Sequence, residues 1–436
     1  MDDQLTKIII ISLFVIFALF SPSSKSASLK NNKKLDNQTK KLIVFWNKPW
    51  KEFPPWDPAL CSETGDFDCE IKYGRSPGLI KQADSVIIHP VFTSLESNGS
   101  NFLKAHMLDL VNSVRTSNQV YIFAQWESPE FHRGDYRYLN GFFNKTMTYL
   151  PESDYWFPYG SIGLVKLRAL LDEQVVNKLG SARFTKQDFY RKATFDANFK
   201  ELDFPEKIYP VAAVVSHCRS KYRNELILKI QEEIGVENLD LYGDCFKSQK
   251  KSRAENLTKT YLESDKNLKK LEFGKYNSLY HLLKNYKFYL AFENSRCDHY
   301  ITEKIFDNSV LTRAVPIVAG PSRAHYEKLV PSSSFIHVDD FESVEKLGIH
   351  VKYLLGNETA YMKYFDWHSD FDLKKTKTVE LSTVEEFRNS GICKLCKDLF
   401  GTGDHSVVED VHSFWYGQKR DRCTPVRDRP GSKFSF

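Results

Sequence analysis

The sequence predicts an α/β fold built from two parallel-sheet halves that face a cleft. Its apolar runs are short and continuous rather than alternating, as expected for parallel strands covered by helices on both faces. Helical patterns lie between these runs, which implies right-handed strand–helix–strand units. The runs fall into two groups, separated near residue 205 by the proline-containing stretch 204–210. We therefore expect two Rossmann-like halves.

The strand predictions follow from the apolar runs and the helix predictions from the stripes between them. Strands are expected at Leu42–Trp46, Ser85–Ile88, Gln119–Ala124, Val211–Val215, Leu239–Tyr242, Phe288–Phe292, Ala314–Val318 and Ser334–Val338. An apolar stripe from Leu226 to Ile234, ended by Gly235, predicts a helix over Ser220–Gly235. A second helix is expected from about Asp298, as its N-cap, to about Arg313.

The N-terminus predicts entry into the secretory pathway. An uncharged stretch from Ile8 to Ser24 is close to the lower limit of about 17 residues for a bilayer span. A cleaved signal peptide and a short signal anchor both fit this stretch, and its length favours the anchor. The predicted organisation is a cytoplasmic tail over 1–7, a transmembrane helix over 8–24, a flexible stem over 25–41, an N-terminal half over 42–205, a C-terminal half over 206–365 and a segment over 366–436 that packs back.

The charge distribution argues against a nucleic-acid-binding protein. The formal net charge is +5, and the stem alone holds six lysines and one aspartate. The rest of the chain is therefore close to neutral, whereas a nucleic-acid binder carries its basic excess on the folded part.

Cysteines and sequons agree with an oxidising compartment. The eight cysteines favour disulfides. A zinc site formed by Cys393, Cys396, His405 and His412 is the alternative, but structural zinc sites favour closer histidines. N-glycosylation sequons occur at Asn37, Asn98, Asn144, Asn256 and Asn357.

Several common catalytic signatures are absent from the sequence. It has no G-x-G-x-x-G after a strand, no phosphate-binding G-x-x-x-x-G-K-[ST] and no G-x-S-x-G. The triplets Asp66–Asp68 and Asp370–Asp372 resemble metal–diphosphate motifs, but such short matches are weak and solvated turns explain them better.

Glu127 is the candidate general base. It follows the strand Gln119–Ala124, and the carboxyl ends of strands lie on the ligand side of an open α/β sheet. It could deprotonate a hydroxyl, and Trp126 beside it could desolvate the carboxylate. A loop or helix-capping acid is the alternative.

A basic cluster is the candidate anion site. Arg219, Lys221 and Arg223 meet the start of the helix predicted after Val215. Helix N-termini bind anions, and arginine suits phosphate oxygens. A solvated basic face fits the same residues.

Residues 288–306, FYLAFENSRCDHYITEKIF, carry the third candidate site. The strand ends at Glu293, Asn294 and Ser295, and the following residues include Tyr300, Glu303 and Lys304. A sugar nucleotide needs a cation for its diphosphate and acceptors for its hydroxyls, which Lys304 and Glu303 would supply. Taken alone, a surface ion pair explains Glu303 and Lys304 as well.

This segment closely resembles the signature of the α1,3-fucosyltransferases, glycosyltransferase family 10. The blocks Glu127–Pro129, Phe143–Tyr149, Val214–Cys218 and Pro331–Phe341 are also similar to that family, so the resemblance covers roughly 42–425. It implies a GT-B fold with an N-terminal acceptor-binding half over 42–205 and a C-terminal GDP-fucose-binding half over 206–365. Such a protein binds GDP-fucose in the cleft and transfers fucose with inversion to the 3-hydroxyl of N-acetylglucosamine, in an N-glycan core or a lactosamine-type antenna. A catalytically inactive glycan-binding relative is the alternative.

The resemblance also assigns roles to individual residues. It implies Glu127 as the base, Arg223 and Lys304 on the diphosphate, and Tyr300 and Glu303 near the fucose and ribose. The strand-end residues Glu293, Asn294 and Ser295 are expected beside the donor.

Further expectations concern disulfides, metal and location. The resemblance implies pairing of Cys218 with Cys245, and of Cys61 and Cys69 with Cys393 and Cys396 in an unspecified order. Cys297 and Cys423 either pair or leave one thiol free. No metal is required, although a divalent cation could stimulate, and the protein is expected to be a type II Golgi membrane protein with a luminal catalytic part.

Overall fold

The computed structural model describes residues 40–47, 68–90, 108–109, 111–131, 134–160, 207–246, 279, 282–371, 391–401 and 406–423. Two five-stranded sheets, parallel at every pairing, form two halves with the orders β2-β1-β3-β4-β5 and β10-β9-β8-β6-β7. The strands are β1 Lys41–Phe45, β2 Cys69–Tyr73, β3 Ser85–Ile88, β4 Val120–Gln125, β5 Lys145–Thr148, β6 Tyr209–Val214, β7 Leu239–Tyr242, β8 Tyr286–Phe292, β9 Val315–Ala319 and β10 Ile336–His337.

The predicted strands are confirmed, with ends shifted by a few residues, and two further strands are present. The additional strands, β2 and β5, form the two edges of the first sheet. Their sequences, CEIKY and KTMT, contain no continuous apolar run. β2 is largely exposed, whereas β5 is mostly buried and satisfies its threonine hydroxyls by hydrogen bonds, so neither strand needs a continuous apolar run.

The α-helices are α1 Pro77–Gln82, α2 Lys221–Ile234, α3 Glu303–Ile305, α4 Arg323–Tyr326, α5 Val344–Gly356, α6 Glu358–Met362, α7 Gly391–Asp398 and α8 Val411–Tyr416. A π-helical turn spans Phe306–Val310, and 3-10 turns span Arg137–Leu139, Val236–Asn238, Asp244–Phe246, Val338–Asp340 and Lys363–Phe371. The predicted helix over Ser220–Gly235 is confirmed as α2. Its stripe packs against β6 and β8 in the core of the second half.

The prediction of a helix starting at Asp298 is wrong. The helix begins at Glu303 and continues as the π-helical turn. His299 adopts a left-handed backbone with φ 59°, which is incompatible with a right-handed helix. Asp298 does not cap a helix, and its main-chain N–H donates to the carbonyl oxygen of Arg422.

The C-terminal segment covers both faces of the first sheet. Ile392 and Leu395 of α7 pack on the face that contains Ile43 and Ile122. On the opposite face, α8 packs against Val44, Tyr121 and Phe123 through Val411 and Trp415. The first half is therefore completed by residues that follow the second half in the chain.

Three disulfides join described cysteines. Cys218–Cys245 is confirmed, Cys69 pairs with Cys396, and Cys297 pairs with Cys423. Cys393 is also disulfide-bonded, and its expected partners are Cys61 and Cys69, of which Cys61 lies outside the described residues. The zinc alternative is wrong, because the sulfurs of Cys393 and Cys396 are already bonded.

Several expectations fall on parts of the chain that the structure does not describe. The predicted tail, the anchor, and Asn37, Asn98 and Asn256 lie outside the described residues. No helix within the described ranges is long and apolar enough to span a bilayer. Asn357 is partly exposed, whereas Asn144 is buried and its side-chain oxygen accepts hydrogen bonds from Arg115 and Tyr121. This packing argues against glycosylation of Asn144 in the folded protein.

Candidate active site

The candidate site lies where the carboxyl ends of the two sheets meet. Glu127 follows β4 of the first half, and Glu293 follows β8 of the second. Two hydrogen bonds join these strand ends: Ser128 Oγ and Ser295 Oγ are 2.6 Å apart, and Asn294 Nδ2 donates to Glu127 Oε1 at 3.1 Å. Ligands of open parallel sheets bind at this edge.

Glu127 has one engaged oxygen and one open oxygen. Its Oε1 accepts hydrogen bonds from the Tyr300 hydroxyl, Asn294 Nδ2 and the Ser128 main-chain N–H. Its Oε2 takes no hydrogen bond from any described residue. The side chain is partly exposed. The carboxylate is thus fixed in direction while Oε2 can accept a proton.

Tyr300 lies beside Glu127 rather than in a helix. Its ring is buried, with centroids 5.4 Å from Tyr149 and 6.3 Å from Tyr159. Burial and the charge of Glu127 raise the pKa of Tyr300 well above its ordinary value, so its hydroxyl remains a donor to the carboxylate. The sequence predicted contact with the donor, and the structure adds this contact with the base.

Arg223 is a buried cation without a carboxylate partner among the described residues. Its guanidinium donates to the carbonyl oxygen of His217, and its Nε has no hydrogen-bond partner. Burial lowers the pKa of Arg223, while the charges of Glu293 and Glu127 oppose that effect. The ring of His217, whose carbonyl oxygen accepts from Arg223, lies 6.3 Å from the ring of Phe131 in the first half, so Arg223 lies at the boundary between the two halves, which we call the seam. The first turn of α2 has no side-chain cap and no acidic residue. Together these features favour an anion.

Lys304 is only partly exposed, and it is paired. Its Nζ lies 3.1 Å from Glu293 Oε2 and 3.3 Å from Glu303 Oε1. Burial opposes its charge, yet these carboxylates raise the pKa of Lys304 above its ordinary value. The ion pair that sequence alone suggested for Glu303 and Lys304 is therefore present, and Glu293 is a second partner.

Glu293 anchors the beginning of α3. It is buried, and its carboxylate accepts hydrogen bonds from the Thr302 N–H at 2.8 Å and the Thr302 hydroxyl at 2.9 Å. Burial raises the pKa of Glu293, and the charge of Lys304 acts in the opposite direction. Three strand-end residues were predicted to contact the donor. Of these, Glu293 thus holds α3, while Asn294 and Ser295 contact residues 126–131, which we call the Glu127 loop.

Contacts from the first half that sequence reasoning missed also shape the seam. The Tyr159 hydroxyl donates to the carbonyl oxygen of Trp126 at 2.8 Å. A Cβ on Gly160 would come within 2.8 Å of the Phe306 ring, so the two halves approach closely there. Phe131 contacts the His217 ring at 6.3 Å and the Arg219 guanidinium at 5.7 Å. In the sequence, the one indication of these contacts is that Ser128 and Phe131 lie close to Glu127 in the chain.

Within the described ranges, no group of three or more histidine, cysteine or carboxylate side chains is arranged to hold a metal ion. Arg223 and Lys304 both bring positive charge to the seam. Two parallel-sheet halves that bring a carboxylate and cations to one seam are typical of GT-B glycosyltransferases.

Comparison with known proteins specifies the class. Residues 38–160 match "Fucosyltransferase, N-terminal", and residues 204–415 match "Glycosyltransferase family 10 (fucosyltransferase) C-term". The chain belongs to glycosyltransferase family 10, the fucosyltransferases.

Individual relatives cover most of the chain. The 4-galactosyl-N-acetylglucosaminide 3-alpha-L-fucosyltransferase FUT6 of Gorilla gorilla gorilla is 30% identical over 333 residues, which is 75% of this chain and 72% of the relative. The 4-galactosyl-N-acetylglucosaminide 3-alpha-L-fucosyltransferase 9 of Mus musculus is 28% identical over 409 residues, which is 91% of this chain and 90% of the relative.

Proposed function

We propose that the protein transfers L-fucose from GDP-fucose, with inversion, to the 3-hydroxyl of an N-acetylglucosamine in glycoprotein glycans. The observation that carries this proposal is the seam, where the open oxygen of Glu127 and the guanidinium of Arg223, which has no carboxylate partner among the described residues, come from opposite halves. Family membership and the names of the relatives supply the sugar and the linkage.

Glu127 acts as the general base. As the acceptor hydroxyl attacks the anomeric carbon of fucose, its proton passes to Glu127, and the bond from that carbon to the GDP oxygen breaks. Tyr300 and Asn294 hold Oε1 by hydrogen bonds, which leaves Oε2 for the incoming hydroxyl. A positioned base is worth roughly 10²–10⁴ in rate.

Arg223 and Lys304 bind the diphosphate of the donor. Negative charge develops on the leaving GDP, and a buried cation stabilises it strongly because the surroundings screen it little. Arg223 carries most of this role, since Lys304 already has two carboxylate partners. Tyr300 and Glu303 lie near the fucose and ribose of the donor.

These cations supply the charge that a metal would otherwise provide. We therefore propose that the reaction requires no metal and that a divalent cation stimulates it modestly at most. Comparing turnover in EDTA with turnover in Mg²⁺ or Mn²⁺ tests this: loss of activity in EDTA, restored by the metal, would contradict it.

The protein is proposed to be a type II Golgi membrane protein with its catalytic part in the lumen. The uncharged N-terminal stretch, the disulfides and the sequon at Asn357 support this location. N-terminal sequencing of the mature protein distinguishes the anchor from a signal peptide cleaved near residue 27.

The acceptor is tested with a glycan panel. The protein without its anchor and stem is incubated with GDP-fucose and with glycans that present either a 4-galactosylated N-acetylglucosamine or the innermost N-acetylglucosamine of an N-glycan core. The names of the relatives specify the former, so we expect fucose α1,3-linked to that unit. If fucose were found only on the N-glycan core, the innermost N-acetylglucosamine would be the acceptor. Glycan binding without transfer would show the inactive relative instead.

A further inference from the structure

Gln125 is a fully buried amide two residues before the proposed base. It is the last residue of β4, and its Oε1 accepts hydrogen bonds from the main-chain N–H groups of Trp126 at 3.0 Å and Glu127 at 3.2 Å. Burial of an amide is costly unless it is hydrogen-bonded, so these contacts explain how a glutamine is tolerated here.

The two main-chain contacts fix the orientation of the Gln125 side chain. A main-chain N–H can only donate, so Oε1 must be the atom that faces both groups. His89 Nε2, 2.7 Å from the same oxygen, must then carry a proton and donate as well. On the other side, Gln125 Nε2 donates to the Tyr136 hydroxyl at 3.1 Å. His89 follows the neighbouring strand β3, so this network joins two strand ends directly behind Glu127.

We propose that Gln125 is a positioning residue that aims the Glu127 carboxylate at the acceptor hydroxyl. This inference rests on the proposed role of Glu127. Tyr300 and Asn294 hold the carboxylate from the second half, and Gln125 holds the main chain that carries it from the first half. Both are needed, because a displacement of about 1 Å at a reacting group can cost about 10²-fold in rate.

The same strand offers a matched control. Gln119 immediately precedes β4, is also buried, and donates through Nε2 to the carbonyl oxygens of Ile80 at 2.6 Å and Ala83 at 2.8 Å. The residues 119 and 125 lie at opposite ends of a six-residue strand, about 20 Å apart. Gln119 is therefore comparable to Gln125 in burial and in hydrogen bonding to the main chain, but it does not contact the Glu127 loop.

The experiment compares substitutions at the two glutamines. Gln125→Leu removes the oxygen that accepts from the main chain. Gln125→Asn has a side chain one methylene shorter, so its oxygen lies farther from the N–H groups of Trp126 and Glu127. Gln125→Glu keeps an oxygen facing these two N–H groups. For each variant and for Gln119→Leu and Gln119→Asn, turnover is divided by the number of GDP-binding sites found by calorimetry, so that unfolded protein is not counted.

We expect kcat per GDP site to fall by about 10- to 100-fold in Gln125→Leu, less in Gln125→Asn and least in Gln125→Glu, with an unchanged KM for GDP-fucose. The Gln119 variants should remain within twofold of the wild type. A kcat within twofold in Gln125→Leu, or equal losses in both series, overturns the inference. If Gln125→Leu does not fold, equal kcat in Gln125→Asn and Gln125→Glu overturns it. A wild-type protein that transfers no fucose contradicts the proposed function instead.

Discussion

Glu127 and Glu293 are carboxylates at equivalent places in the two halves, yet their surroundings differ. Each follows a central strand at the carboxyl edge of a parallel sheet. Glu127 is partly exposed, and its Oε2 takes no hydrogen bond from the part of the chain that the structure describes. Glu293 is buried, and both of its oxygens accept hydrogen bonds, from Thr302 and Lys304. The comparison shows that an open oxygen, rather than position on the sheet, distinguishes the candidate base from a structural carboxylate.

The largest expected effect is that of Glu127→Gln. The amide keeps the shape of the side chain but cannot accept a proton, so turnover should fall by at least about 100-fold while GDP still binds. Single-turnover assays with GDP-fucose measure the loss, and Glu225→Gln, on the exposed face of α2, is the control. Near-normal turnover would remove Glu127 from the mechanism.

The two cations should differ in their effect on GDP affinity. Arg223→Met removes a guanidinium that has no carboxylate partner within the described ranges, and we expect the Kd for GDP to rise by about 30-fold or more, in keeping with the loss of charge-assisted hydrogen bonds. Lys304→Met should raise it by only about 5- to 10-fold, because Glu293 and Glu303 already offset its charge. Calorimetry with GDP compares the variants. An unchanged Kd in both would show that the diphosphate binds elsewhere.

Glu293→Gln should lower stability rather than specifically abolish chemistry. The substitution breaks the buried pair with Lys304 and one acceptor for Thr302, so the free energy of unfolding should fall by about 2–3 kcal/mol. Urea denaturation with intact disulfides measures this change. If the Glu293→Gln protein had wild-type stability but lost turnover 100-fold per folded molecule, Glu293 rather than Glu127 would be the candidate base.

The smallest expected effect concerns pH and Lys207. Its Nζ donates to the carbonyl oxygens of Lys284 and Thr312, and burial, with the nearby charges of Arg313 and Lys284, lowers the pKa of Lys207 to about 7. Between that value and the ordinary value of 10.5 the unfolded chain binds the extra proton, so this group makes stability rise with pH.

Substitution of Lys207 tests this dependence. Lys207→Met should remove a slope of at most about 1.4 kcal/mol per pH unit, measured by urea unfolding between pH 7 and pH 9. Parallel pH profiles for the wild type and Lys207→Met would show that Lys207 does not titrate in this range.

Central strands and α2 could be predicted from sequence because local apolar patterns determine them. The edge strands Cys69–Tyr73 and Lys145–Thr148 could not, since pairing with a neighbour compensates for their polar residues. The start of α3 was also missed. The Cys297–Cys423 disulfide and the left-handed His299 hold that loop, and both depend on contacts distant in sequence.

The candidate site was predictable as a set of residues but not as a set of contacts. Glu127, Arg223 and Lys304 follow from their place at strand ends and helix starts, together with the family resemblance. The partners of Glu127, Asn294 and Tyr300, come from the opposite half, which no local pattern reveals. Local patterns alone do not distinguish Glu293 from Glu127, since both follow apolar strands. The family resemblance separated their roles, and the structural difference lies in which neighbours fold against each carboxylate.

The packing of α7 and α8 on opposite faces of the first sheet has a consequence for the design of chimeras with relatives. The half that carries Glu127 is discontinuous in the chain, since it comprises the β1–β5 region together with α7 and α8, and the Cys69–Cys396 disulfide ties α7 to β2. If a chimera took only its N-terminal region from a relative, the sheet of that relative would have to pack against α7 and α8 of this protein. Exchanging both pieces, with their cysteines, preserves the native interfaces within that half.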